Sequence, residues 1–129
     1  MRSPLANNSE THRTLEEILA TCSDVLVFDG EDNTPFGIDS CGPDGDTPLH
    51  VMAWQKDVTA MKVLINAGAN VNAIGDMSET PLHVAIRMQH LEMVKELLKA
   101  GAVIDVVSEF GESPKAMAHK IGGEVAKLF

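Results

Sequence analysis

Leu91, Met93, Val94, Leu97 and Leu98 recur at helical spacing. Such a stripe predicts a helix with one buried face. Lys95 and Lys99 lie towards its C-terminal half, where cations suit the helix dipole. Gly101 then stops it, as Gly68 stops the preceding apolar stretch. The start signals are equally plain. Thr47-Pro48 and Thr80-Pro81 each place a capping hydroxyl before a proline. At the first helical position the proline's missing N–H costs nothing. Thr14 and Glu17 have capping-box spacing and open the segment TLEEILA. Beyond it, VLVFDGEDNTP turns from β-branched to acidic to turn-forming, which predicts mostly loop. The pairs Asp29-Gly30 and Asp44-Gly45 are further turn signals.

These signals repeat. TPLHVMAWQ begins at Thr47 and TPLHVAIRM at Thr80, 33 residues later. The same step leads on to Ser113, in SPKAMAH, and back to Thr14. Pro48, Pro81 and Pro114 share the period, as do Gly68-Ala69 and Gly101-Ala102. So do the apolar–polar pairs Ile38-Asp39, Val71-Asn72 and Ile104-Asp105. A 33-residue unit carrying TPLHxA closely resembles the ankyrin repeat. The best match is TPLHVAIRMQHLEMVKELLKAGAVID, Thr80 to Asp105, and the unit from Thr47 to Asn72 is nearly as good.

The resemblance covers roughly residues 13–129 and implies an all-α fold. That fold is a short ankyrin-repeat solenoid of helix-turn-helix units with hairpin loops. Two good internal repeats would stand between degenerate caps, with units at about 13–45, 46–78, 79–111 and 112–129 after a flexible segment at 1–12. One helix pair cannot bury its apolar face alone, so stacking makes the core and the end units carry polar outer faces. The last unit departs accordingly. Lys115 stands where the leucine belongs, Ala116 where the histidine belongs, and the chain stops at Phe129 with a shortened second helix.

Composition agrees with one helical domain. The 129 residues are 44% hydrophobic but only 4% aromatic, so the core is aliphatic with help from seven methionines. The net charge of −9 disfavours nucleic-acid backbones as partners. The N-terminal MRSPLANNSETHRT has no apolar signal region, and Val25-Leu26-Val27-Phe28 is too short to cross a bilayer. No membrane partner is expected, and the expected setting is cytoplasmic. Cys22 and Cys41 have neither metal nor redox spacing; two free thiols are expected, with one disulfide as the alternative.

Little supports catalysis. His50 and His83 lie within TPLH, and the resemblance implies that they hydrogen-bond neighbouring repeats together. His12, His90 and His119 form no ligand spacing with them. The run DGEDNTPFGID raises calcium, but an EF-hand loop starting at Asp29 would need glycine at Thr34 and glutamate at Ser40. No nucleophile elbow, phosphate loop or zincin motif occurs. We therefore expect no enzyme, no cofactor and no metal.

What remains is surface. By the resemblance, partners dock on the hairpin tips before each TPLH phrase and on the concave end of each first helix. The tip residues are Asp44 and Asp46, then Asp76, Met77 and Glu79, then Glu109, Phe110 and Glu112. Six of these are acidic and none is basic, and the acidic segment from Asp24 to Asp46 lacks Lys and Arg altogether. Aligned tips would sum their fields into a stripe suited to a cationic protein surface; the plainer alternative is ordinary solvated turns. The helix positions are Trp54 and Gln55, Arg87 and Met88, then Lys120 and Ile121. Trp, Arg and Met are enriched at interfaces, and Trp54 could also lie across Arg87 as a cation–π pair. The expectation is a monomeric, non-enzymatic module binding another protein with a basic surface. Two narrower alternatives are an immunity or antitoxin-type inhibitor of a basic effector such as a nuclease, and an adaptor subunit of a larger complex.

Overall fold

Thr47-Pro48, Thr80-Pro81 and Ser113-Pro114 each begin a helix, and each of these helices is too short to be stable without neighbours. The computed structural model describes residues 14–26 and 37–129. Seven α-helices occur there: α1 (Leu15–Leu26), α2 (Pro48–Trp54), α3 (Val58–Asn66), α4 (Pro81–Arg87), α5 (Leu91–Lys99), α6 (Pro114–Ile121) and α7 (Gly123–Ala126). A single 3₁₀ turn, Asp76–Ser78, lies between α3 and α4, and no strand is found among the described residues. The fold is therefore an all-helical solenoid.

Helices α2 and α3, α4 and α5, and α6 and α7 form successive pairs. The first helices α2, α4 and α6 pack in one row and the second helices α3, α5 and α7 in another. Helix α1 packs on both α2 and α3, covering the N-terminal end of the stack. Its cap has the anticipated form: the Thr14 N–H donates to Glu17 Oε1 at 2.9 Å, and the Glu17 N–H donates to Thr14 Oγ1 at 3.1 Å. The second helices have their own caps, in register. Asp57 Oδ1 accepts from the Ala60 N–H at 3.0 Å, and 33 residues later His90 Nδ1 accepts from the Met93 N–H at 3.3 Å. Val25 and Leu26 complete α1, so the helix runs two residues into the stretch expected to be mostly loop. The rest of that stretch to Pro35, the N-terminal segment 1–12 and most of the calcium-like run lie outside the described residues.

The core is aliphatic. Ile18, Leu49, Met52, Met61, Leu64, Leu82, Ile86, Met93 and Leu97 are fully enclosed. Each such side chain contributes about 1.5–3 kcal/mol when buried. Cys22 is buried and Cys41 exposed, and neither forms a disulfide among the described residues.

Polar links in the same register stitch the units. The Thr47 N–H donates to His50 Nδ1 at 3.1 Å, which leaves Nε2–H to donate to the Glu79 carbonyl at 2.8 Å. His83 repeats this, with Nδ1 accepting from the Thr80 N–H at 3.0 Å and Nε2–H donating to the Glu112 carbonyl at 3.0 Å. Burial lowers the His50 pKa below the ordinary 6.5, against the opposing pull of its bond to Glu79, so this link is a neutral imidazole near pH 7. Asp39 Oδ1 accepts from the Asn70 N–H at 3.0 Å, and Asn72 Oδ1 accepts from the Val103 N–H at 2.8 Å.

Candidate protein-interaction groove

The groove is built from hairpin tips on one side and first helices on the other. Each tip is a tight turn: the Gly45 N–H donates to the Gly42 carbonyl (2.9 Å), Ser78 to Gly75 (3.1 Å) and Gly111 to Ser108 (2.9 Å). The last residue of each turn has positive φ, at 97° for Gly45, 59° for Ser78 and 79° for Gly111. Glycine takes that conformation freely; serine does not. In the middle tip Met77 is left-handed as well, with φ 61°. Strain of order 1–3 kcal/mol per residue is thereby held at a side chain that is 44% exposed.

The two joints between tips are made differently. At the first, Asp46 Oδ1 accepts from the Asp76 N–H at 2.9 Å. Gly75 permits this approach, since a Cβ there would lie 2.3 Å from Asp46 Oδ1 and 2.7 Å from His50 Nε2. At the second, the Met77 carbonyl accepts from the Glu109 N–H at 2.9 Å. Glu79, which holds the register position of Asp46, is directed elsewhere: both carboxylate oxygens accept from the Arg87 guanidinium. Glu79 was expected as an exposed acidic tip. It is instead buried, with a side chain only 4% exposed, and its charge is matched within the fold. The bond to Glu79 raises the Arg87 pKa, so Arg87 stays charged throughout the accessible range.

Arg87 also lies over Trp54, with its Cζ 6.0 Å from the ring centroid. That is the cation–π pairing expected from the repeat, and it leaves the indole 43% exposed. Trp54, Arg87, Asp46, Asp76, Met77, Glu79 and Phe110 line one groove of about 260 Å³. His50 and Val84 complete its wall. Neither was anticipated as a wall residue; the TPLHV phrase carries both, and the family resemblance gives His50 an inter-repeat bond only.

The other anticipated positions stand apart from this groove. Asp44 and Glu109 are exposed on their tips, and Gln55 is exposed at the end of α2. Met88 is half-buried against the core. Glu112 pairs with Lys120 Nζ at 2.9 Å. Among the described residues no group of His, Cys, Asp and Glu could hold a metal ion, and no helix is long and apolar enough to cross a membrane.

A family model for ankyrin repeats matches residues 6–108, in three copies. No curated protein matches the chain.

Proposed function

The chain belongs to the ankyrin repeat family, and on that premise we propose that it is a protein-binding module whose docking surface is the groove between Trp54 and the tips at Met77 and Phe110. Ankyrin repeats are protein–protein interaction modules, typically without enzymatic activity. The observation that carries the proposal is that Trp54, Met77 and Phe110, each over 40% exposed, line one concavity. Exposed apolar anchors at the centre of a concave surface are the side chains on which binding energy concentrates. Exposed Asp44, Asp76 and Glu109 on successive tips support a partner with a basic surface.

The test is affinity capture from the native source with the wild-type chain and with Trp54→Ala side by side. The variant should lose about 2 kcal/mol of partner affinity, roughly thirtyfold. Its melting temperature should barely move, because much of the indole is already in water. A collapse of the melting temperature, or capture of the same partner with undiminished affinity, would overturn the assignment of the groove.

A further inference from the structure

The 33-residue register exposes an acid–base ladder with one rung incomplete. Glu79 pairs with Arg87, eight residues on, and Glu112 pairs with Lys120, again eight residues on. The same two positions one unit earlier are Asp46 and Trp54. Here the acid is kept and the cation is replaced by an indole. Asp46 consequently has no ion pair among the described residues; its carboxylate accepts from the Asp76 backbone N–H. Asp76, beside it, also has no cation partner there. Both carboxylates line the groove together with Trp54, Met77 and Phe110.

The cation already in the groove does not fill this place. Arg87 is held by both oxygens of Glu79, so its charge is met by a buried carboxylate of its own. The groove thus combines two carboxylates lacking a cation with an aromatic face and apolar walls. A planar guanidinium suits this combination better than an ammonium. It stacks on aromatic rings, is weakly hydrated and can bridge two carboxylates at once.

We infer that the groove is a seat for an arginine side chain of the partner, which supplies the missing rung by docking on Trp54 between Asp46 and Asp76. The inference rests on the groove being the docking surface and names the group that enters it. Trp54 then has a definite part: it leaves the cation's place open and offers a ring in its stead.

Blocked hexapeptides carrying one arginine, one lysine or one glutamine in an otherwise identical Gly-Ala sequence are suitable probes. Binding to the full chain is followed by NMR chemical-shift titration and by the fluorescence of Trp54, the only tryptophan in a chain without tyrosine. The arginine peptide should give a saturable response at Trp54, the lysine peptide a weaker one, and the glutamine peptide none. Asp46→Asn with Asp76→Asn keeps the side-chain shapes and the Asp46 Oδ1 acceptor, and should weaken arginine-peptide binding about tenfold or more, as loss of charge-assisted contacts does. Trp54→Arg should fill the place from within, pairing with Asp46, and should abolish arginine-peptide shifts while the fold persists. An equal response to glutamine or lysine, or full binding by the Asn double variant, would overturn the inference. A captured natural partner that needs Trp54 but ignores the Asn double variant would remove the arginine seat while leaving the groove as the docking surface.

Discussion

Arg87→Met isolates the contact that shapes the groove. The substitution removes the guanidinium from a Glu79 side chain that is 4% exposed, while Arg87 itself is 36% exposed. Stranding a fully buried partner costs about 3–5 kcal/mol. Solvent reaches Arg87, which screens the pair and lowers the expectation to about 2–3 kcal/mol. For a domain of this size the melting temperature should then drop by roughly 8–15 °C. Glu79→Gln should cost less, about 1 kcal/mol, because the half-exposed arginine it leaves behind can be hydrated. The decisive comparison is Arg87→Met with Glu79→Gln together. That protein buries no unpaired charge, so it should be more stable than Arg87→Met alone. Urea unfolding of the four proteins, with midpoints and slopes fitted together, measures the coupling. If Arg87→Met shifts stability by less than about 0.5 kcal/mol, or if the double variant is no better than the single one, the pair is a surface contact and the reasoning fails.

Three smaller perturbations follow from the same geometry. Burial depresses the His50 pKa below 6.5, so the unfolded chain binds a proton there more readily than the folded one; this stability is present above about pH 6.5 and declines as pH falls towards the folded-state pKa, and melting curves at pH 7.5, 6.5 and 5.5 should show a slope that is shallower in His50→Asn. Ser78→Gly places glycine where Gly45 and Gly111 already stand, and should raise stability by about 0.5–1 kcal/mol in chemical denaturation; a loss would mean that the left-handed turn is not strained. Gly75→Ala would drive a methyl into Asp46 and the buried His50, and should cost about 1–3 kcal/mol, with unchanged stability refuting the close approach.

Much of the fold was legible because its determinants are local and repeat. Thr14 and Glu17 sit three residues apart, and the Leu91–Leu98 stripe follows one helix face, so neither needs knowledge of the rest of the chain. The histidine links span 29 residues, yet the resemblance to the ankyrin repeat implied them. The site was only half legible. Exposure of Trp54, Met77 and Phe110 follows from positions the scaffold leaves free, and the Arg87–Trp54 pairing follows from register. The fate of Glu79 does not. Whether a tip carboxylate faces solvent or folds inward depends on a contact eight residues away, across a turn and a helix, which no helical or strand period marks. The left-handed Met77 is equally unsignalled, since neither Met nor Ser advertises a positive φ as glycine does.

The two tip joints also differ in how freely their side chains can change. The first depends on the Asp46 carboxylate, so a residue that faces the groove also holds two units together. The second is main chain to main chain, Met77 carbonyl to Glu109 amide, and asks nothing of either side chain. Positions 77, 109 and 110 can therefore be diversified together to retarget the groove, provided that the turn is kept, whereas diversity at 46 would be lost to misaligned repeats. A library built on this chain would anchor one wall and vary the other.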